Sequence, residues 1–152
     1  MDQEGLNKAL QDFPLGGLRF FSRIDSTNNE AVYWADQGAP DLSLVIADEQ
    51  TAGRGREGRR WFTPPGTALA FSLVIKTFEA GNLETPQLLS RLTGLGALAV
   101  SEALRSDFGL PAEIKWPNDV LLERRKVAGV LAEAHWLGDQ LSAVILGVGV
   151  NV

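Results

Sequence analysis

The chain has 152 residues, of which 45% are hydrophobic and 22% charged, and its formal net charge is −5. This length suffices for one domain with a hydrophobic core, and the acidic balance argues against broad electrostatic binding to nucleic acid or to an anionic membrane. Without cysteine and with a single histidine, disulfides, thiolate metal sites and multi-histidine metal sites are excluded. No segment approaches the roughly 20 apolar residues of a membrane span, and the polar N-terminus is unlike a secretory signal. We therefore expect a cytoplasmic location.

Apolar runs rich in β-branched and aromatic residues predict seven strands. In chain order they span residues 18–24, 43–50, 68–76, 113–116, 120–122, 127–134 and 141–150. One helix is expected between the first two strands, and a long helix at residues 85–108, where apolar residues recur at three- or four-residue spacing. Strands outnumber helices and most are joined by tight turns, so the expected fold class is α+β: a mixed, mainly antiparallel sheet backed by helices.

The two predicted helices carry distinct local signals. Thr27 is predicted to be the N-cap of the first helix, with Glu30 completing a capping box, and Gly38 stops that helix. In the long helix, Gly94 and Gly96 each cost about 1 kcal/mol of helix propensity. We predict that both glycines permit close packing of this helix on the sheet.

Positive charge is concentrated in residues 53–61, GRGREGRRW, which we call the arginine loop. Glycines let backbone N–H groups turn toward an anion. Arginine side chains present forks of donors suited to carboxylate and phosphate oxygens, and the indole of Trp61 offers a flat face to another ring. The combination predicts a loop that closes over an anionic small molecule with an aromatic part; a solvated turn and an RNA contact are the alternatives.

Three further clusters offer chemistry, each with a purely structural alternative. Residues 115–119, KWPND, combine groups suited to phosphate, a nucleobase and Mg²⁺, or they form a proline turn. Lys126 opens an apolar strand in which Gly129 leaves room for a ligand or marks a β-bulge. Residues 26–28, at the start of a helix, can hydrogen-bond a polar ring or simply cap the helix.

Taken in order, these clusters resemble the catalytic domain of biotin protein ligases over about residues 18–152. The matching motifs are Ser26-Thr27-Asn28, Gln50, the arginine loop, KWPND at 115–119, KVAG at 126–129 and GVGVN at 147–151. The resemblance implies a fold shared with lipoate ligases and related to class II aminoacyl-tRNA synthetases. It also implies two steps: biotin and ATP give biotinyl-5′-adenylate and pyrophosphate, and biotin then passes to a lysine of a biotin carboxyl carrier domain of a carboxylase.

The resemblance assigns roles to residues by position. The residues that would bind biotin are Ser26, Thr27, Asn28, Gln50, Gly53, Arg54, Arg56, Lys126 and Gly129. The residues that would bind the nucleotide are Arg56, Trp61, Lys115, Asn118, Asp119 and Asn151. Lys126, Arg54 and Arg56 would be catalytic, because their charge offsets the repulsion between the biotin carboxylate and the phosphate, and Asp119 would contribute to holding Mg²⁺.

The resemblance also sets limits on the expected domains and partners. Residues 1–17 are expected to be an extension that forms no winged-helix DNA-binding domain, and the catalytic domain at 18–152 is expected to be incomplete, without the family's C-terminal β domain. DNA and membranes are therefore not expected as partners, and a homodimer is left open. Glu57 stands where the family often has a basic residue. A lipoate or octanoyl ligase of the same fold and a non-catalytic biotin-binding fragment are the alternative functions.

Overall fold

The computed structural model describes residues 1–76 and 84–152, and within them the chain forms one sheet with three helices. The strands are β1 (Gly17–Phe21), β2 (Ser43–Ala47), β3 (Ala68–Ile75), β4 (Glu113–Lys115), β5 (Asp119–Leu122), β6 (Arg125–Leu137) and β7 (Gln140–Asn151). The helices are α1 (Gln3–Ala9), α2 (Thr27–Asp36) and α3 (Thr85–Ser106), and a short 3-10 helix lies at Arg56–Gly58.

The strands lie in the order β1-β2-β3-β7-β6-β5-β4. β1 pairs parallel with β2, and each of the other neighbouring pairs is antiparallel. This arrangement confirms the predicted α+β class with a mixed, mainly antiparallel sheet. Each predicted strand is present with shifted ends, the largest extension being that of β6. Helix α1 was not predicted and lies within the expected N-terminal extension.

Helices α2 and α3 pack on opposite faces of the sheet. Side chains alternate across a strand, so Val74 of β3 and Ile145 of β7 join the core beneath α2, whereas Phe71 and Val148 join the core beneath α3. Alanines of each helix lie against the sheet, including Ala31 in α2. The face covered by α2 is the one that carries the candidate site.

The start of α2 differs from the prediction. Ser26 rather than Thr27 is the N-cap, and Ser26 makes no side-chain capping bond, so the predicted capping box is wrong. Thr27 instead donates its backbone N–H and its hydroxyl to Gln50 Oε1, at 2.9 and 3.1 Å, while Glu30 pairs with Arg19 at 2.7 Å. The buried side chain of Gln50 thus accepts the Thr27 backbone N–H. In the predicted capping box, Glu30 would have accepted that N–H.

The two glycines of α3 have different surroundings. A Cβ at Gly96 would lie 3.0 Å from Val130 Cγ1, whereas a Cβ at Gly94 would meet no atom within 4 Å. The prediction that both permit close packing is therefore confirmed for Gly96 and wrong for Gly94, which lies off the stripe that faces the sheet.

Alanine substitutions should separate these two glycines. We expect Gly94→Ala to raise the free energy of unfolding by about 1 kcal/mol, because it gains helix propensity without a clash. Gly96→Ala should gain less, since Val130 has to move to admit the methyl group. Urea unfolding followed by circular dichroism measures both, and equal stabilisation by the two variants would contradict the packing described here.

Candidate active site

A cavity on the α2 face of the sheet collects most of the predicted site residues. Its lining consists of Ser26, Thr27, Asn28, Gln50, Arg54, Gly55, Arg56, Trp61, Asn118, Lys126, Gly129, Val130, Leu131, Gly147, Val148 and Gly149. Its volume is about 50 Å³, whereas pockets for small organic ligands measure about 300–1,000 Å³. A ligand of that class therefore requires movement of the side chains and of the loop that close the cavity.

The arginine loop folds as a hairpin beside this cavity. Trp61 N donates to Gly53 O at 2.8 Å, and Gly55 N donates to Arg59 O at 2.8 Å. The two arms approach closely at Gly53, where a Cβ would overlap the carbonyl oxygen of Trp61. This hairpin places Arg54, next to Gly53, in the cavity wall and explains the need for glycine at its base.

Two of the four arginines of the loop, Arg54 and Arg56, line the cavity and reach different parts of the sheet. Arg54 Nη2 donates to Glu133 Oε2 at 2.9 Å, on β6. Arg56 Nη1 donates to Asn118 Oδ1 at 2.9 Å, at the turn before β5. Both guanidinium groups thus lie over the cavity and remain partly exposed, which leaves donors for an anionic ligand.

Lys126 supplies a third cation from the start of β6. Its Nζ lies 2.6 Å from Asp119 Oδ1 and 5.3 Å from the centroid of the Trp61 ring. Asn118 Nδ2 donates to the same Asp119 oxygen at 3.0 Å. The side chain of Lys126 is 41% exposed, as the structural alternative of a surface lysine expects. It is nevertheless oriented by a carboxylate and by an aromatic face.

A buried polar network forms the opposite end of the cavity. Gln50 accepts from Thr27 and donates from Nε2 to Thr63 Oγ1 at 3.2 Å. Ser72 Oγ lies 2.8 Å from Thr27 Oγ1 and 2.5 Å from Asn28 Oδ1, and its single proton serves one of these acceptors at a time. The network holds the polar start of α2 against β3 in a fixed geometry.

Three glycines, Gly129, Gly147 and Gly149, form a surface without side chains beneath the cavity, which we call the glycine floor. Gly129 and Gly149 are register partners on β6 and β7. A Cβ at Gly147 would overlap Asn28 Oδ1, and a Cβ at Gly149 would lie 2.5 Å from Trp61 Nε1. The floor therefore admits the Asn28 amide and the Trp61 indole directly onto the sheet backbone.

One buried polar group at the cavity lacks a hydrogen-bond partner among residues 1–76 and 84–152: Trp61 Nε1. Ser26, on the same cavity wall, is only 1% exposed and its side chain makes no capping bond to α2. Buried polar groups are usually satisfied, so the Trp61 N–H is a candidate donor to a ligand.

Comparison with known proteins shows the family. Residues 20–151 match the model of the biotin/lipoate A/B protein ligase family. The chain belongs to this family. It is 44% identical over 133 residues to the biotin--[acetyl-CoA-carboxylase] ligase of Paracoccus denitrificans, covering 86% of this chain and 52% of that relative. It is 39% identical over 135 residues to the bifunctional ligase/repressor BirA of Bacillus subtilis, covering 89% of this chain and 40% of that relative.

Solved structures agree with this assignment. The biotin protein ligase from Aquifex aeolicus in complex with biotin and ATP superposes with a TM-score of 0.72 at 37% identity, covering 90% of this chain and 52% of that chain. This likeness confirms the predicted biotin ligase catalytic-domain fold. The chain spans only about half the length of these relatives.

Some predicted residues of this biotin/lipoate ligase family member lie away from the cavity wall. Lys115 is exposed on the edge strand β4, and the structure does not bring it to the cavity. Asn151 is exposed, donates from Nδ2 to Lys126 O at 3.4 Å and lines an apolar groove on the α3 side of the sheet. Gly53 lies at the base of the hairpin, and Asp119 reaches the cavity through its ion pair with Lys126.

No role was assigned from the sequence to four residues that shape the site. They are Ser72, Glu133, Gly147 and Gly149, of which the two glycines entered only as part of the GVGVN motif. The period of two in a strand was a usable signal: it places Glu133 on the same face as Gly129, and Gly147 on the same face as Gly149. Ser72, a fully buried hydroxyl in an apolar strand, had no comparable signal.

Within residues 1–76 and 84–152, no group of three or more His, Cys, Asp or Glu side chains is placed to hold a metal ion. Among the helices of this part of the chain, none is both long enough and apolar enough to cross a membrane.

Proposed function

We propose that this chain carries the adenylation site of a biotin protein ligase, which forms biotinyl-5′-adenylate from biotin and ATP and passes biotin to a lysine of a carrier domain. The observation that carries the proposal is the convergence of Arg54, Arg56 and Lys126 on one cavity that also contains the polar start of α2. The family match and the Aquifex aeolicus complex with biotin and ATP support the choice of ligands.

The ureido ring of biotin would bind at the polar end of the cavity. This ring carries a carbonyl acceptor and two N–H donors. The Ser26 hydroxyl can both donate and accept, whereas the Thr27 hydroxyl gives its proton to Gln50 and would serve the ring as an acceptor. Gln50 and Asn28 hold Thr27 in place through the buried network. The N-terminus of α2 adds a partial positive charge toward the carbonyl oxygen.

The carboxylate of biotin would meet the α-phosphate of ATP near the three cations. A carboxylate oxygen forms a bond to the α-phosphorus, and the bridging oxygen leaves with pyrophosphate. Two anions must approach each other in this step, so fixed positive charge from Lys126, Arg54 and Arg56 lowers the barrier by offsetting their repulsion. In the second step the acceptor lysine amine attacks the acyl carbon, and AMP leaves.

The nucleotide would lie between Trp61 and the turn at Asn118. Trp61 offers its ring to the adenine, and Lys115 and Asn151 would contribute only after movement toward the phosphates or the base. Mg²⁺ is usually bound through one or two carboxylates together with substrate phosphates. The single carboxylate of Asp119 fits such shared coordination, in which the ion would neutralise phosphate charge.

Closure of the arginine loop is part of the proposal. Acyl-adenylates hydrolyse readily, so a loop that orders over the intermediate and excludes water protects it. The partner would be the biotin carboxyl carrier domain of a carboxylase. Because the reaction consumes ATP, we place the protein in the cytoplasm; a homodimer is left open.

The test follows both products in one reaction. With biotin, ATP and Mg²⁺, we expect pyrophosphate release and, once a carrier domain is added, biotin on that domain by intact mass. Lipoate in place of biotin should give neither product. Activity with lipoate alone would replace the proposal by the lipoate ligase alternative, and biotin binding without either product would leave only a binding module.

A further inference from the structure

Glu133 of β6 links the arginine loop to the sheet at the edge of the cavity. Its Oε2 accepts from Arg54 Nη2 at 2.9 Å and from Asn28 Nδ2 at 2.5 Å. The side chains of Arg54 and Glu133 are 42% and 34% exposed, so solvent and ligands reach this pair. A partly exposed ion pair contributes little to stability, which points to another use for the carboxylate.

The carboxylate of Glu133 is itself held in place from the protein side. Asn28 is 5% exposed, and its Oδ1 lies 2.5 Å from the hydroxyl of the fully buried Ser72. Gly147 lies directly beneath the same amide, so that even a methyl group there would overlap it. Asn28 therefore has little freedom to turn, and the position of Glu133 Oε2 is set by α2, β3 and β7 together.

Arg54 keeps most of its donors available while it bonds Glu133. Within the described part of the chain, its side chain uses only Nη2 for hydrogen bonding, whereas a guanidinium group has five N–H donors. The remaining edge can bind a carboxylate or phosphate in the two-donor geometry that arginine favours. Glu133 thus orients this cation without occupying it.

We infer that Glu133 is a positioning residue: its carboxylate fixes the Arg54 guanidinium so that the free donor edge meets the acid group of the substrate. The inference rests on the proposed function for the identity of that substrate. Its opposite, that Glu133 competes with the substrate for Arg54, predicts the reverse change in affinity when the charge of Glu133 is removed.

Calorimetry with Glu133→Gln separates these cases, because glutamine preserves the size of the side chain and an acceptor for Asn28. We expect biotin to bind about tenfold more weakly, while biotinol, the neutral alcohol of biotin, binds as it does to the unchanged protein. In an Arg54→Ala background the same substitution should have no further effect on biotin. Equal losses for the two probes, or unchanged or tighter biotin binding, would overturn the inference.

A matched control and a ligand-independent measurement keep this test separate from that of the proposed function. Glu102→Gln removes the charge of another arginine-paired glutamate, on α3, and should leave biotin binding unchanged. Hydrogen exchange of residues 53–61 should rise in Glu133→Gln and not in Glu102→Gln. If the unchanged protein bound neither probe, the proposed function would fail. Raised hydrogen exchange of residues 53–61 in Glu133→Gln would still support Glu133 as the residue that holds the loop. Unchanged exchange in that variant would contradict the inference.

Discussion

Replacing Lys126 by methionine should slow adenylate formation by about 10²–10³-fold, whereas the affinity for biotin should change by less than about tenfold. Methionine keeps an unbranched apolar side chain over the glycine floor and removes only the ammonium group. That group lies 2.6 Å from Asp119 and faces Trp61, beside the place where two anions would meet. Its charge is therefore needed more in the transition state than in the biotin complex.

Single-turnover pyrophosphate release measures this rate, and calorimetry measures biotin affinity. Lys8→Met, at an exposed lysine in α1, makes the same chemical change away from the cavity and should leave both quantities unaltered. Equal losses of rate and of affinity in Lys126→Met would contradict the catalytic role given to Lys126, because they would show that the ammonium group serves binding alone.

Gly149→Ala should weaken nucleotide binding by about 10–100-fold through a purely steric effect, since overpacking of this kind costs about 1–3 kcal/mol. The new methyl group would lie 2.5 Å from Trp61 Nε1 and 2.6 Å from Trp61 Cζ2. The indole must then lift from the floor into the space that a nucleotide would use. The backbone at Gly149 is an ordinary strand paired to Ala70 and Gly129, so the fold should persist.

Titration with ATP, followed by tryptophan fluorescence, measures this effect. Gly94→Ala is the matched control, because it adds the same methyl group where no atom lies within 4 Å. Full affinity in Gly149→Ala would show that Trp61 does not have to lie on the floor for the nucleotide to bind.

Local patterns in the sequence predicted the helices and strands whose formation depends on residues close together along the chain. The run of apolar, β-branched and aromatic residues in β3 and the three- to four-residue spacing in α3 identified both elements. Helix α1 was not predicted, because it is short and has no buried residue that would produce an apolar pattern. Its position depends partly on a distant contact, in which Gln3 Oε1 accepts from Phe20 N at 3.1 Å.

Site residues were predicted where their side-chain chemistry suits the ligand, as for the arginine loop and Lys126. Contacts were missed where the role of a residue depends on a partner distant in the sequence. Asn28 and Glu133 are 105 positions apart, and no local pattern reports that contact. Gln50 likewise replaces the predicted capping box at Thr27 from 23 positions away. Lys115 carries suitable chemistry, but the short exposed strand β4 leaves it at the edge of the sheet.

The most direct measurement of the shared cavity is an NMR titration that follows the tryptophan Nε1 and arginine Nε signals together. Adding a stable analogue of biotinyl-5′-adenylate should shift the Trp61, Arg54 and Arg56 signals with one common affinity. Trp34, which lies under Arg19 at 4.1 Å, should be unaffected. Shifts at Trp34 without shifts at Trp61, or arginine and Trp61 signals that saturate at different ligand concentrations, would contradict a single cavity.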